Sequence, residues 1–138
     1  MQPSLERFLQ PQSTSYQTAL AEVRAGYKCS HWMWYVFPQL KGLGFSSTAQ
    51  FYGINGKEEA KAYLEHTVLG ARLREITSVL LTLEGKSALE IFGWTDAMKL
   101  RSCMTLFNAV ANGDDLFQKV LDKYYNGKAD DVTLAMLK

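Results

Sequence analysis

A surplus of one charge is what this chain most plainly lacks. Fifteen Lys and Arg stand against fourteen Asp and Glu, for a formal net charge of +1. A protein that grips nucleic acid by its phosphates carries a basic excess or a basic stripe. Here both signs are interspersed, so a nucleic-acid partner is disfavoured. Cysteine is scarce too: Cys29 and Cys103 lie far apart and suggest neither a disulfide framework nor a metal knuckle. The two histidines, His31 and His66, are equally distant. Glu65 adjoins His66, but neighbours on a helix point away from each other, so no metal site is expected. Neither the phosphate loop nor the dinucleotide fingerprint occurs, and no cofactor is expected. No apolar run approaches the roughly 20 residues that span a bilayer, which argues against a membrane partner. The start, MQPSLERFLQ, has an early acid and no long apolar core, unlike a signal peptide. The expectation is a protein of the reducing cytoplasm. Its oligomeric state is left open.

What is present is a globular composition, 47% hydrophobic and 21% charged, in 138 residues. That is enough chain for one domain, 1–138, with its own core. The pattern is helical nearly throughout. Leu5, Phe8 and Leu9 form one short helical face, which Pro11 is expected to break. A second helix starts from the polar run at Ser13, carries Tyr16, Ala19, Leu20 and Val23 inward, and stops at Gly26. Ser46 or Ser47 caps a short helix with Ala49, Phe51 and Tyr52, and Asn55-Gly56 turns the chain. KEEAKAYLEH buries Ala60, Tyr63 and Leu64. Leu69, Leu73, Ile76 and Leu80 continue in a longer helix that ends by Gly85, followed by a short turn, SALEIFG. Thr95 and Asp96 are expected to cap a strong helix with Met98, Cys103, Met104, Phe107 and Val110 inward. Two more helices follow, one from Asp114 to Asn126-Gly127 and one capped by Asp130 or Asp131. The fold expected is mainly α: a compact single-domain bundle of about six to eight helices. An irregular aromatic segment and a Gly-rich loop interrupt it near residues 30–46.

That segment, SHWMWYVFPQLKGLG, is the most informative stretch. Trp32 to Phe37 is almost continuously apolar, so periodicity cannot separate a buried strand from a buried helix. Polar residues punctuate both ends, and burying Ser30, His31 and Gln39 costs free energy unless each finds a partner. The reading adopted is mixed. Met33, Phe37 and one tryptophan belong to the core, while the two ends of the block face a common site.

SHWMWYVFPQLKGLG, followed by FYGI, EEAKAYLEH with LGARLRE, EIFGWTDAMKLRSCMTLF and GKADDVTLAML, resembles the bacterial family of domain of unknown function 1810. The resemblance runs from about Leu5 to the carboxyl end. It implies a small, mainly helical, single-domain protein of prokaryotic type and brings no established activity. The label calpastatin, which members sometimes carry, belongs to long, disordered, repeated inhibitors and does not suit this composition.

The chemistry must therefore come from the residues. His31 can act as a general acid or base near neutral pH, or it can simply bond a backbone carbonyl beside Trp32. Trp32, Trp34 and Tyr35 can wall a site for a base or sugar, or pack in the core. Gln39 with Lys41, Gly42 and Gly44 can offer amides and a cation to a phosphate, or form a plain turn. Asp96, Lys99 and either Ser102 or Cys103 recur at three- and four-residue steps and so share one helical face, and Tyr52, from the earlier short helix, is a further candidate. The alternative is a solvated face. Asp131 is a candidate catalytic carboxylate if the last helix folds back over the tryptophan segment; otherwise it caps that helix.

Two functions are consistent with this set. One is a small-molecule site for a nucleotide- or sugar-like ligand, with His31 and Asp131 as catalytic candidates. Its binding candidates are Ser30, Trp32, Trp34, Gln39, Lys41, Gly42, Gly44, Tyr52, Lys99 and Ser102. At fold level only, the helical layout is similar to the N-glycosidases of ADP-ribose-like substrates; no motif of theirs matches residue by residue, and a hydrolase of that kind is the activity the analogy suggests. The other is a non-catalytic interaction domain using the aromatic segment as its interface.

Overall fold

The computed structural model describes residues 4–138 and folds them into nine helices, with no strand among those residues. In chain order they are α1 (Glu6–Ala25), α2 (Met33–Val36), α3 (Ser47–Phe51), α4 (Gly56–Glu65), α5 (Leu69–Thr82), α6 (Ala88–Phe92), α7 (Trp94–Val110), α8 (Leu116–Tyr125) and α9 (Asp131–Met136). The number exceeds six to eight because α2, α3, α6 and α9 are short helices of four to six residues set between the long ones.

Helix α7 is the axis of the molecule. Its residues Ser102 to Phe107 are buried without interruption, so side chains on every side of it need cover. Helices α4, α6, α8 and α9 all pack on it, while α5 joins α1, α4 and α8 on the far side. The Phe107 ring meets Tyr63 at 5.3 Å and Phe117 at 6.0 Å, tying α4, α7 and α8 into one core.

Pro11 does not break the first helix: α1 runs through it. An interior proline removes one N–H and crowds the preceding turn, at about 3 kcal/mol. Tertiary anchors on either side offset that cost. Arg7 donates to both Glu59 oxygens, at 2.5 and 3.2 Å, and to the carbonyls of Phe51 and Gly53, both at 2.9 Å. Next to Pro11, the buried Gln12 amide donates to the Tyr35 carbonyl at 2.6 Å and the Tyr63 hydroxyl at 3.0 Å.

The ends of the helices follow local chemistry. Ser46 accepts the Ala49 amide, Ser87 and Glu90 form a reciprocal cap, and Asp130, one residue before α9, accepts the Thr133 amide. Helix α7 is the exception. It starts at Trp94, behind Gly93 with φ of 81°, so neither Thr95 nor Asp96 caps it. Gly93 ends α6 and begins α7 at once, which leaves the Asp96 carboxylate free for other partners.

After α2 the chain extends through Pro38 to a parallel bridge between Leu40 and Ile54. The Ile54 amide donates to the Gln39 carbonyl and the Lys41 amide to the Ile54 carbonyl, each at 2.9 Å. The bridge requires close approach: a Cβ at Gly53 would stand 2.5 Å from Lys41 Cα. This pairing holds Gln39 and the loop after it against the start of α7.

Candidate functional site

Glu22 lies in the last turn of α1, where a carboxylate faces the unfavourable end of the helix dipole. It is kept there by donors from the returning chain. The Cys29 amide at 2.8 Å, the Ser30 amide at 3.0 Å, the Ser30 hydroxyl at 2.6 Å and the Trp32 indole N–H at 2.9 Å all donate to it. Burial raises this carboxyl, but the four hydrogen bonds together outweigh burial and draw it down to about 2. The polar punctuation at Ser30 and the indole N–H of Trp32 are thus consumed by the fold. Trp32 itself is core, 1% exposed, as are Met33 and Phe37.

Beyond this knot, two tryptophans, two lysines and one acid form a ladder. Lys28 stands 5.2 Å over the Trp32 ring and 2.9 Å from Asp96. Asp96 also faces Lys99 at 3.7 Å, and the Lys99 ammonium stands 4.9 Å over the Trp34 ring. The ladder carries the aromatic block to the side of α7.

There the structure opens a cleft of about 450 Å³. Thr95, Met98, Lys99 and Ser102 line it as one helical stripe of α7, spaced at i, i+3, i+4 and i+7. Gln39, Leu43 and Gly44 supply the facing loop, Trp94 the rim, and Asp130 and Val132 the remaining wall beside α9. Gly44 lets that loop close tightly, since a Cβ would lie 2.7 Å from Ala49 Cβ. The α9 wall is fixed where it begins. The Asp130 amide donates to the Thr105 hydroxyl, and Arg101 donates to the Lys128 and Ala129 carbonyls, all at 2.9 Å. Behind the cleft, a slot of about 10 Å³ shares Gln39 and Lys99 with it and adds Trp34 and Tyr52 among its walls.

The structure therefore brings together Trp34, Gln39, Gly44, Tyr52, Lys99 and Ser102 from the sequence-derived set. It leaves the other six outside. Ser30 and Trp32 serve Glu22. His31 is exposed between them and lines neither the cleft nor the slot, so the two ends of the aromatic block do not share this cavity. Lys41 is exposed, and its amide is spent on the bridge. Gly42, with φ of 104°, turns the loop past the Met136 methyl. Asp131 lines a different cavity of about 430 Å³, with Lys57 and Ala109. Asp130 is the extended N-cap residue before α9 and Asp131 the first residue of the helix, and the two border different cavities.

Sequence reasoning missed Glu22, Trp94, Asp130 and Val132. Glu22 left one signal, an acid in a helix's last turn where the dipole disfavours it. Trp94 left another, a large aromatic directly behind a turn glycine. Cys103 is fully buried, and burial pushes its thiol up. Among the described residues, no three His, Cys, Asp or Glu side chains gather as metal ligands, and no helix is long and apolar enough to cross a membrane.

Fold and cleft together define a small helical protein built around one central helix, with an open, largely apolar cleft carrying a few polar groups along that helix's first turns. The family described as a protein of unknown function, DUF1810, matches over residues 2–137, and the chain belongs to it. The crystal structure of the conserved hypothetical protein Rv1873 from Mycobacterium tuberculosis is similar throughout. It is 48% identical, with a TM-score of 0.95 over 96% of this chain and 95% of that one. No curated protein matches.

Proposed function

We propose that the cleft beside α7 is a small-molecule site, taking a ligand with a flat or sugar-like ring and several hydrogen-bonding groups. One observation carries this reading: Gln39, from the loop after α2, and Lys99 and Ser102, from α7 far along the chain, converge on a single concavity. Its volume, about 450 Å³, falls in the range of ordinary ligand sites. The Trp94 indole, 72% exposed at the rim, supplies a face for stacking, a contact worth about 1–3 kcal/mol for a nucleobase. The Ser102 hydroxyl donates to the Met98 carbonyl at 3.2 Å and keeps its lone pairs for a ligand donor. The free thiols Cys29 and Cys103 support a reducing, cytoplasmic setting.

The rival reading, a docking face for another protein, is favoured by the exposure of Trp94, Met98 and Val132 at 72%, 38% and 57%. A thermal-shift screen against nucleotides, sugars and phosphorylated metabolites separates the two. Binding to the native state at a hundredfold excess over the dissociation constant adds about 2.7 kcal/mol. Val132→Trp, at an exposed wall position, fills the cleft without touching the core and abolishes the shift. Trp94→Ala weakens the shift and changes stability by no more than about 0.5 kcal/mol. A ligand whose shift survives both substitutions binds elsewhere and overturns the assignment. No shift with any compound favours the docking face.

A further inference from the structure

We propose that the cleft selects its ligand through an anionic substituent held by Lys99; this rests on the cleft being a ligand site and names the chemistry that the site takes. Lys99 is only partly neutralised by its neighbours. Two ammonium groups share one carboxylate: Asp96 lies 2.9 Å from Lys28 and 3.7 Å from Lys99. Lys28 is nearer and more enclosed, its side chain 9% exposed, and it takes the larger part of that neutralisation. The trio therefore carries a net positive charge, and Lys99 is the member that borders the cleft.

The other acid on the cleft, Asp130, keeps its own negative charge but is engaged with Thr133 and not with Lys99. Asp130 accepts the Thr133 amide at 2.9 Å and the Thr133 hydroxyl at 2.6 Å, both through Oδ2. No ion pair joins it to Lys99 among the described residues.

Lys99 is also held in place. Its ammonium stands over Trp34 at 4.9 Å, and its side chain is 21% exposed. The ring and the walls of the slot cover it from behind, and the face toward Gln39 and Ser102 is left for a ligand. A cation fixed in a partly desolvated setting attracts an anion more strongly than one in bulk water. The amide of Gln39 adds a hydrogen-bond donor beside it.

The test uses matched pairs that differ only in charge: ribose 5-phosphate with ribose, and AMP with adenosine. Each is titrated against the whole protein by calorimetry at low salt. The phosphorylated member of a pair binds at least about tenfold more tightly, as expected of a charge-assisted contact. About 0.5 M sodium chloride narrows that difference. Lys99→Met keeps most of the stem and removes the charge, so it collapses the difference within each pair. Lys99→Arg keeps most of it, and both variants unfold at the urea midpoint of the wild type.

Equal affinity within the pairs in the wild type overturns the anion inference and leaves the cleft reading standing if Val132→Trp blocks both members. A difference that persists in Lys99→Met overturns it as well. If none of the four compounds binds, the inference falls, and the wider screen with Val132→Trp decides the cleft reading alone.

Discussion

At Glu22 one carboxylate collects four donors, and the pH behaviour of the protein should carry its mark. Its folded carboxyl lies below the ordinary 4.5, at about 2. A depressed carboxyl contributes stability in full above its unfolded value and loses it as pH falls through the folded one. Glu22→Gln keeps the shape but offers a single weaker acceptor, and it turns an NH₂ toward groups that also donate. At pH 6 this variant is expected to be less stable by about 1–3 kcal/mol. The deficit should shrink as pH descends from 4.5 toward 2, because the wild type alone loses the ionised contribution. Urea unfolding across that pH range checks this, and a deficit that stays constant would sink the account. The residues around Glu22 were only half legible. Ser30 and His31 announce themselves as polar groups beside an apolar run, but linear spacing cannot tell which of them turns inward. The backbone return after Gly26 decides it, giving Ser30 and Trp32 to Glu22 and sending His31 out.

Helix α1 shows what local sequence can and cannot determine about an element. Gly26, Asn112-Gly113 and Asn126-Gly127 were readable as stops because the left-handed backbone they adopt is a local property. Ser46 was readable as a cap because its hydroxyl reaches an amide three residues on. Pro11 was misread because what overrules it comes from distant residues: Glu59, Phe51 and Gly53 through Arg7, Tyr35 and Tyr63 through Gln12. The same holds at α7, where Gly93 moves the start back and gives Asp96 to Lys28. If α1 tolerates Pro11 only through these anchors, the missing N–H still costs something. Pro11→Ala should therefore stabilise the protein by about 1–2 kcal/mol, the interior-proline penalty less the unfolded-state advantage that proline confers. Chemical denaturation measures it, and a destabilised variant would show that the fixed proline geometry helps α1.

Across the whole molecule, α7 divides the labour between stability and recognition. Its middle is enclosed by α4, α8 and the core rings, while its first turns leave the stripe from Thr95 to Ser102 open to the cleft. Half of that stripe was legible from spacing, since Lys99 and Ser102 fall on one helical face. Met98, expected inward, is instead partly exposed on the cleft, and Thr95, expected as a cap, lines it because the helix begins earlier. The opposite wall was not legible, because Asp130 and Val132 reach it only after α9 packs back on α7. Tertiary closure of this kind depends on few long-range ties, and the buried pair of Arg7 and Glu59 is one whose role can be measured. Their side chains are 5% and 3% exposed, and Glu59 also accepts the Asn55 amide at 3.0 Å. Removing one partner from a buried pair leaves an uncompensated charge, at about 3–5 kcal/mol, whereas replacing both with apolar residues costs far less than the sum. Arg7→Met should fall in that range, since it strands the Glu59 carboxylate and the carbonyls of Phe51 and Gly53. Glu59→Leu should be comparably severe. The double variant, Arg7→Met with Glu59→Leu, should recover at least about 1 kcal/mol relative to the two losses added together. Unfolding free energies for all four proteins close the cycle. Strict additivity would mean that Arg7 fastens α1 through the backbone carbonyls alone, with the carboxylate a bystander.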